Sequence, residues 1–484
     1  MHPLLDDFER NCANRATRPA ASDPTLALDY QSLRAVACGL GAQIAAQTAQ
    51  PHVGILAPTS AACAAAVFAC WYANRVPVPL NFMLSPTELS KIIRDAGLDL
   101  IVSIDRFAPT VTAAGLKLLP LSAQTLVPGE GQAPAAAPAD VGALIYTSGT
   151  SGDPKGVCLS FDNLAQNARA CIAAAELSAD QVFLGLLPQF HAFGLTATTI
   201  VPLVMGAAVH YLPRFSPVAV ANTIAERGVS VFITIASMFG ALAAMKEARA
   251  EQFASLTHPV SGGEPLPARV AQVFEQRYGK RIYEGYGMTE ASPVITLNTP
   301  RAYRAGTVGR PLPGISVVAV DAHGATLPPG EEGELIVRGH CVMQGYLNKP
   351  DLTAATVRDG ALRTGDVGHV DADGYVSITG RAKEMMIVGG ENVFPFEIES
   401  VLVDHPGVAE AAVVGLQDDI RGEVPVAFVI PRPDAAPLVE SELRGFCRER
   451  LAAYKVPRQI TIATELPRGP TGKILKRALK VGQP

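Results

Sequence analysis

Charge is what this sequence has little of. Of its 484 residues, 18% are Asp, Glu, Lys or Arg, against about 25% in an average soluble protein. Hydrophobic residues make up 48%, and the mean hydropathy is +0.22. That surplus excludes a disordered chain, because burial can offset the entropy of ordering. It raises the question of a membrane span. Residues 35–74 and 181–213 carry no Asp, Glu, Lys or Arg. The first stretch is broken by Gln43, Gln47, Gln50, Pro51, His52 and Pro58, and the second by Gly185, Pro188, Gln189, His191, Gly194, Pro202 and Gly206. Neither has the unbroken apolar character of a membrane helix, so both are expected to form the core of a large α/β domain. A basic patch is also missing. The net charge is −5 with no long block of one sign, which argues against nucleic-acid binding. The 8 cysteines form no C-x-x-C and no zinc-like spacing, as expected of buried thiols in a reducing compartment. The start, MHPLLDDFERNC, is acidic where a signal peptide is basic. A cytoplasmic protein without a membrane span is predicted.

What is present is organised as alternating elements. Length alone suggests about three folding units, at roughly 150 residues each. Residues 53–57 read as a strand. Ser85-Pro86-Thr87-Glu88 supplies a hydroxyl N-cap, a proline in the first helical position and a capping-box Glu. Leu89, Ile92 and Ile93 then give that helix an apolar face. Residues 100–103 follow as a strand. Such alternation predicts βαβ units and a largely parallel sheet. Residues 127–140, rich in Pro, Ala and Gly, predict a surface connection. After 307, glycines and prolines punctuate short strands at 315–320 and 334–338, which predicts a β-rich unit. The last hundred residues read as a small α+β domain: a helix at 396–404, strands at 411–415 and 426–430, and a helix at 439–451.

One segment carries chemistry by its composition. After an apolar strand at 143–147, the chain reads Tyr146-Thr147-Ser148-Gly149-Thr150-Ser151-Gly152-Asp153-Pro154-Lys155-Gly156. Glycines let a backbone wrap closely around a ligand. Hydroxyls and main-chain N–H groups offer donors to phosphate oxygens, and Lys155 adds a point charge. It is not a Walker A loop, because Gly156 rather than Ser or Thr follows the lysine.

This segment resembles the signature of the adenylate-forming superfamily, which includes acyl- and aryl-CoA synthetases, peptide-synthetase adenylation domains and firefly luciferase. Further motifs follow in that family's order over nearly the whole chain. Leu187-Pro188-Gln189-Phe190-His191-Ala192-Phe193-Gly194 resembles the substrate-site histidine segment. Ser261-Gly262-Gly263-Glu264-Pro265 resembles the nucleotide-lining loop, and Tyr286-Gly287-Met288-Thr289-Glu290 the adenine and magnesium motif. Arg363-Thr364-Gly365-Asp366 and Gly380-Arg381 resemble the ribose-binding pair. Gly389-Gly390-Glu391-Asn392-Val393 and Pro470-Thr471-Gly472-Lys473 resemble two C-terminal active-site loops.

The resemblance implies a large N-terminal body of βα subdomains plus a β-rich subdomain (1–381) and a small mobile α+β domain (384–484). Lys383 would mark the hinge near 381–384. It implies ATP, Mg2+ and coenzyme A, or a carrier-protein phosphopantetheine, as the reactants and cofactors. Tyr286 would stack on adenine and Thr289 would donate to the α-phosphate. Asp366 would accept the ribose hydroxyls, with Arg381 adding planar donors. Mg2+ would fall to Glu290 and Thr147, since it takes few carboxylates plus phosphate oxygens. Lys473, otherwise an ordinary tail lysine, would bridge carboxylate and α-phosphate during adenylation. A domain rotation would then withdraw it and present 389–393 to a thiol.

His191, Ser237, Gly262 and Gly287 are the expected substrate-pocket residues. An amino-acid substrate needs a carboxylate for its ammonium group, and the segment Phe190-His191-Ala192-Phe193 has none. Residues 231–242 are uncharged too, so an apolar acyl group is predicted. Ala236, Ser237, Gly240 and Gly262 are small enough to leave room for a tail, or they simply pack the core. Residues 77–89 resemble long-chain fatty-acid enzymes, which tips the expectation to a medium- or long-chain fatty acid. Acyl–acyl-carrier-protein synthetase and aryl-CoA ligase are the alternatives, with a luciferase-like oxygenase or a nucleotide-binding pseudoenzyme from other classes. Gln189, where many relatives have an apolar residue, leaves the polarity of the pocket mouth open.

Overall fold

A computed structural model describes residues 2–122, 124–137, 139–148, 154–388, 391–418, 422–433, 435–468 and 474–479. The chain packs into two compact units. One comprises Met1–Leu266, Val270–Ser316 and Val337–Leu362; the other Pro267–Arg269, Val317–Ile336 and Arg363–Pro484.

The first unit is the α/β body that the alternation predicts. A 9-stranded sheet runs, in order, Arg310–Pro311, Val294–Leu297, Tyr283–Gly287, His258–Ser261, Val231–Thr234, Val182–Gly185, Ala208–Tyr211, Pro19–Ser22 and Ala27–Asp29. Its central pairings are parallel and its edge pairings antiparallel. A 4-stranded parallel sheet holds Val76–Pro79, His52–Leu56, Leu100–Ser103 and Lys117–Pro120. Its helices start where side chains cap them. Asp29, Ser60, Ser85 and Ser160 each accept an N–H from the first turn of the helix that follows, satisfying an otherwise orphaned donor. The predicted capping box at Ser85 and Glu88 forms.

The two uncharged stretches are interior. Helix Ala61–Tyr72 is buried on nearly every side, as a helix apolar all round must be. The 181–213 stretch breaks into strand Val182–Gly185, helix Ala192–Leu195, a π-helical turn Thr196–Ile200, helix Val201–Met205 and strand Ala208–Tyr211. Among the described residues no helix is long and apolar enough to cross a membrane.

A further 5-stranded sheet, in order Ile315–Val320, Gly333–Gly339, Ala361–Val370 and Val357–Arg358 with Val376–Arg381 on Ala361–Val370, is the predicted β-rich region. In the second unit another 5-stranded sheet orders Glu391–Val393, Met386–Val388, Gly422–Pro431 and Val408–Asp418, with Gln459–Ile462 parallel to Gly422–Pro431. Helices Pro395–Asp404 and Glu440–Arg448 cover it, with Ile398, Leu402, Leu443 and Cys447 in its core. The last helix is shorter than the predicted 439–451, because Glu449 caps it and Leu451 turns back onto Cys447.

Candidate active site

The glycine-rich segment is held between two paired strands. Val141–Ser148 and Pro154–Ser160 are antiparallel, with Thr147 opposite Lys155 and Ser148 opposite Pro154. Gly149, Thr150, Ser151 and Gly152 lie outside the described residues. The stem is anchored by Tyr146, whose hydroxyl donates to Asp95 at 2.6 Å. Burial, reinforced by that carboxylate, pushes the Tyr146 hydroxyl above the ordinary phenol range. It therefore stays a donor.

Glu290 sits in a short 3-10 turn, Thr289–Ala291, just after strand Tyr283–Gly287. The turn closes tightly: the Met288 N–H donates to the Pro293 carbonyl at 2.9 Å. A Cβ on Gly287 would fall 1.9 Å from that same oxygen, so glycine is required there. One Glu290 oxygen accepts the Tyr346 hydroxyl at 2.8 Å. The Lys155 ammonium lies 5.4 Å from the centre of the Tyr346 ring, within cation–π range. Lys155 and Glu290, 135 residues apart in the chain, thus share one aromatic side chain. No sequence motif had pointed to Tyr346. Its only signal is adjacency to Gly345 in a short strand, which is weak.

The nucleotide-lining loop and the histidine segment also meet. A Cβ on Gly262 would lie 3.0 Å from the Phe193 ring, so that ring lies flush against the glycine backbone. Gly263 has φ +79, a conformation other residues rarely hold. Glu264 Oε1 accepts the Ser237 N–H at 2.5 Å, which ties the loop containing Pro265 to the start of helix Ala236–Ala244. The His191 ring packs 4.6 Å from Phe190, which meets Phe82 edge-on at 5.4 Å.

Gln189 is not at a pocket mouth. It is 1% exposed. Its side chain accepts the Ser60 N–H at 2.9 Å and donates to Thr199 Oγ1 at 3.0 Å. Tyr211 completes that network through Thr198 and Thr199. Gln189 therefore locks the turn before His191 onto the body.

Glu284, two residues before Tyr286, was not singled out from the sequence. Burial pushes its carboxyl up to about 7, opposed by the Leu266 N–H that it accepts at 3.3 Å.

In the second unit, Asp366 and Arg381 lie opposite each other on paired strands. Arg381 Nε forms an ion pair with Asp366 Oδ1 at 3.0 Å. Gly365, at φ +71, makes the turn, and the Asp366 N–H donates to Thr364 Oγ1 at 3.0 Å. Asp366 is 5% exposed, so its carboxylate is pre-oriented beside planar donors. Lys383 lies in the exposed turn Ala382–Glu384. Gly389, Gly390 and Lys473 lie outside the described residues.

Hard carboxylate oxygen at Glu290, with few acidic neighbours, suits Mg2+ arriving on a nucleotide. Among the described residues no group of three or more His, Cys, Asp or Glu gathers as a metal cage, and Mg2+ does not need one.

These arrangements define a nucleotide-activating enzyme, and comparison with known proteins places it. Residues 8–347 match the family described as AMP-binding enzyme, and residues 397–473 the AMP-binding enzyme C-terminal domain. The chain belongs to this AMP-binding enzyme family. It is 36% identical over 457 residues to a feruloyl-CoA synthase from Amycolatopsis sp, covering 93% of each chain. It is 36% identical over 409 residues to a long-chain-fatty-acid–CoA ligase from Bacillus subtilis, covering 84% of this chain and 70% of the other. Its fold matches O-succinylbenzoate coenzyme A synthetase from Bacillus subtilis in complex with ATP and magnesium ion, at TM-score 0.89 and 28% identity, covering 98% of both chains. Within the family, it is an AMP-forming acid–thiol ligase of the acyl-CoA synthetase type.

Proposed function

We propose that this ligase activates an uncharged, apolar carboxylic acid, with planar aryl acids as its best substrates, and delivers the acyl group to coenzyme A. The observation that carries this reading is the wall formed by Phe193 against Gly262. An aromatic side chain set against a glycine backbone favours stacking of a ring, and the carboxylate of that same loop, Glu264, is already engaged by the Ser237 N–H. The feruloyl-CoA synthase relative, matched along 93% of its length, supports the same class. A fatty acid is the second reading, favoured by the long-chain ligase relative. Coenzyme A rather than a carrier protein is the acceptor, as in the names of both relatives.

Two half-reactions follow from the residues. The acid's carboxylate attacks the α-phosphorus of ATP, giving an acyl-adenylate and pyrophosphate. Glu290 and Thr147 would hold the divalent cation, which would neutralise phosphate charge. Lys155 and the 147–152 backbone bind phosphate oxygens, and Thr289 donates to the α-phosphate. Tyr286 stacks on adenine against the 262–265 loop with Met288 beside it, and Asp366 with Arg381 holds the ribose. Lys473 bridges the two reacting groups. The chain's part is alignment and charge stabilisation rather than covalent catalysis. The segment with Lys383 then serves as a hinge, and Gly389 and Gly390 face the thiol that displaces AMP.

A pyrophosphate-release screen across aryl, fatty and amino acids, with coenzyme A or with holo carrier protein, tests the proposal. Aryl acids with coenzyme A should give the highest kcat/KM. Preference for an amino acid, or for carrier protein, would overturn it, and preference for a fatty acid would select the second reading.

A further inference from the structure

Tyr346 touches both charged groups that the proposed chemistry places on the nucleotide's phosphates, and no motif accounts for it. It stands in strand Gly345–Tyr346, opposite Val157 on the strand that also carries Lys155. Gly345 adopts φ +149, where a Cβ would meet the Thr353 side chain at 2.7 Å. The Tyr346 N–H donates to Thr353 Oγ1 at 2.9 Å. The backbone is thus fixed, and the side chain is 8% exposed. Its hydroxyl donates to Glu290 Oε1 at 2.8 Å, and its ring face meets the Lys155 ammonium at 5.4 Å.

A carboxylate and an ammonium that contact one and the same side chain attract each other across it. Paired directly, each would neutralise the other and neither would present its charge to a ligand. Tyr346 gives each a different partner: a hydroxyl for the carboxylate, a π face for the ammonium. We infer that Tyr346 is a positioning residue, holding Glu290 turned toward the divalent cation and Lys155 apart from it. The inference rests on the assignment of Glu290 to the cation. A residue that orients a metal ligand typically changes metal affinity 10–100-fold when its hydrogen bond is removed.

The test is Mn2+ titration by electron paramagnetic resonance, on the full chain with a non-hydrolysable ATP analogue. Tyr346→Phe keeps the ring and removes the hydroxyl. Its Mn2+ Kd should rise by about 10-fold or more, with the KM for ATP rising, the KM for the acid unchanged and the Tm near that of the parent. Glu290→Gln is the control. If Glu290→Gln leaves Mn2+ binding intact, the cation assignment has failed. If Glu290→Gln weakens binding and Tyr346→Phe stays within twofold of the parent, the role of Tyr346 is refuted. Tyr346→Leu, which also removes the ring, should in addition weaken binding of the metal-free analogue. Unchanged binding at a native Tm would overturn the part given to Lys155.

Discussion

Lys476 lies between two carboxylates in the second unit, and replacing it by Met tests the electrostatics of that unit directly. Its ammonium donates to Glu384 Oε2 at 2.6 Å and pairs with Glu399 Oε1 at 2.9 Å. The side chains are unequally covered: Lys476 is 26% exposed, Glu384 40% and Glu399 16%. Burial lowers the Lys476 ammonium, but the two carboxylates outweigh it and hold it above the usual lysine range. Burial raises Glu399, and Lys476 pulls it back down. Breaking a buried pair costs about 3–5 kcal/mol, whereas an exposed one contributes about 0–1. The Glu384 arm therefore counts little, and the cost falls on Glu399, which keeps the Val413 N–H at 2.7 Å. Lys476→Met should destabilise by about 2–4 kcal/mol at pH 8. The pH dependence has a definite sign. Glu399 titrates higher folded than unfolded, so the native state binds more protons, and stability falls as pH rises through that interval. Without Lys476 the carboxyl moves higher still. The deficit should then shrink toward pH 5 as Glu399 becomes neutral. Lys476 itself is protonated throughout that range and adds no slope. Urea unfolding at pH 5 and pH 8, with hydrogen exchange across 408–418, measures the effect. A loss under about 1 kcal/mol at pH 8, or one independent of pH, refutes the reasoning. So does Glu399→Gln failing to restore stability in the Lys476→Met background, since the glutamine carbonyl can still accept the Val413 N–H.

Three further predictions rest on single contacts. Burial pushes the Glu284 carboxyl up to about 7 when folded, so stability falls as pH rises from near 4.5 through 7; Glu284→Gln should raise the unfolding free energy at pH 8 but not at pH 5, by up to about 3 kcal/mol, and an equal gain at both would refute it. Gly287→Ala places a Cβ 1.9 Å from the Pro293 oxygen, so Tm and binding of a fluorescent ATP analogue should both drop; a parent-like protein would show that the turn yields. Arg381 is 64% exposed where it meets Asp366, so that pair adds about 0–1 kcal/mol to stability; Asp366→Asn should raise the KM for ATP, and an unchanged KM would remove Asp366 from the site.

Much of this was legible where local chemistry decides local structure. The capping box at Ser85 and strands Leu100–Ser103 and Ile315–Val320 were read at their observed bounds, because caps and short apolar runs carry their own signals. Residues 231–242 read only as an uncharged stretch, yet the chain there folds as strand Val231–Thr234 and helix Ala236–Ala244. Residues buried on all sides lose the periodicity that separates the two. The motifs identified Glu290 and Lys155 one at a time. Only the fold shows that Tyr346 joins them, because that contact spans 56 residues in one direction and a strand pairing in the other.

The same distinction explains the polar residues inside the uncharged stretch. Gln189, Thr198, Thr199 and Tyr211 are all buried, and in an apolar region each would be costly if unpaired. They pair with one another and with Ser60 instead, across the π-helical turn Thr196–Ile200. A π turn frees backbone groups and is common near functional sites. Here it lies one short helix beyond His191, and Gln189 fixes the chain on the other side. Removing the glutamine amide should loosen the His191 segment rather than change the polarity of the acyl site. Gln189→Leu should therefore lower Tm and raise hydrogen exchange at 190–200, with the order of preference among aryl acids unchanged. A reordered preference would return Gln189 to the pocket.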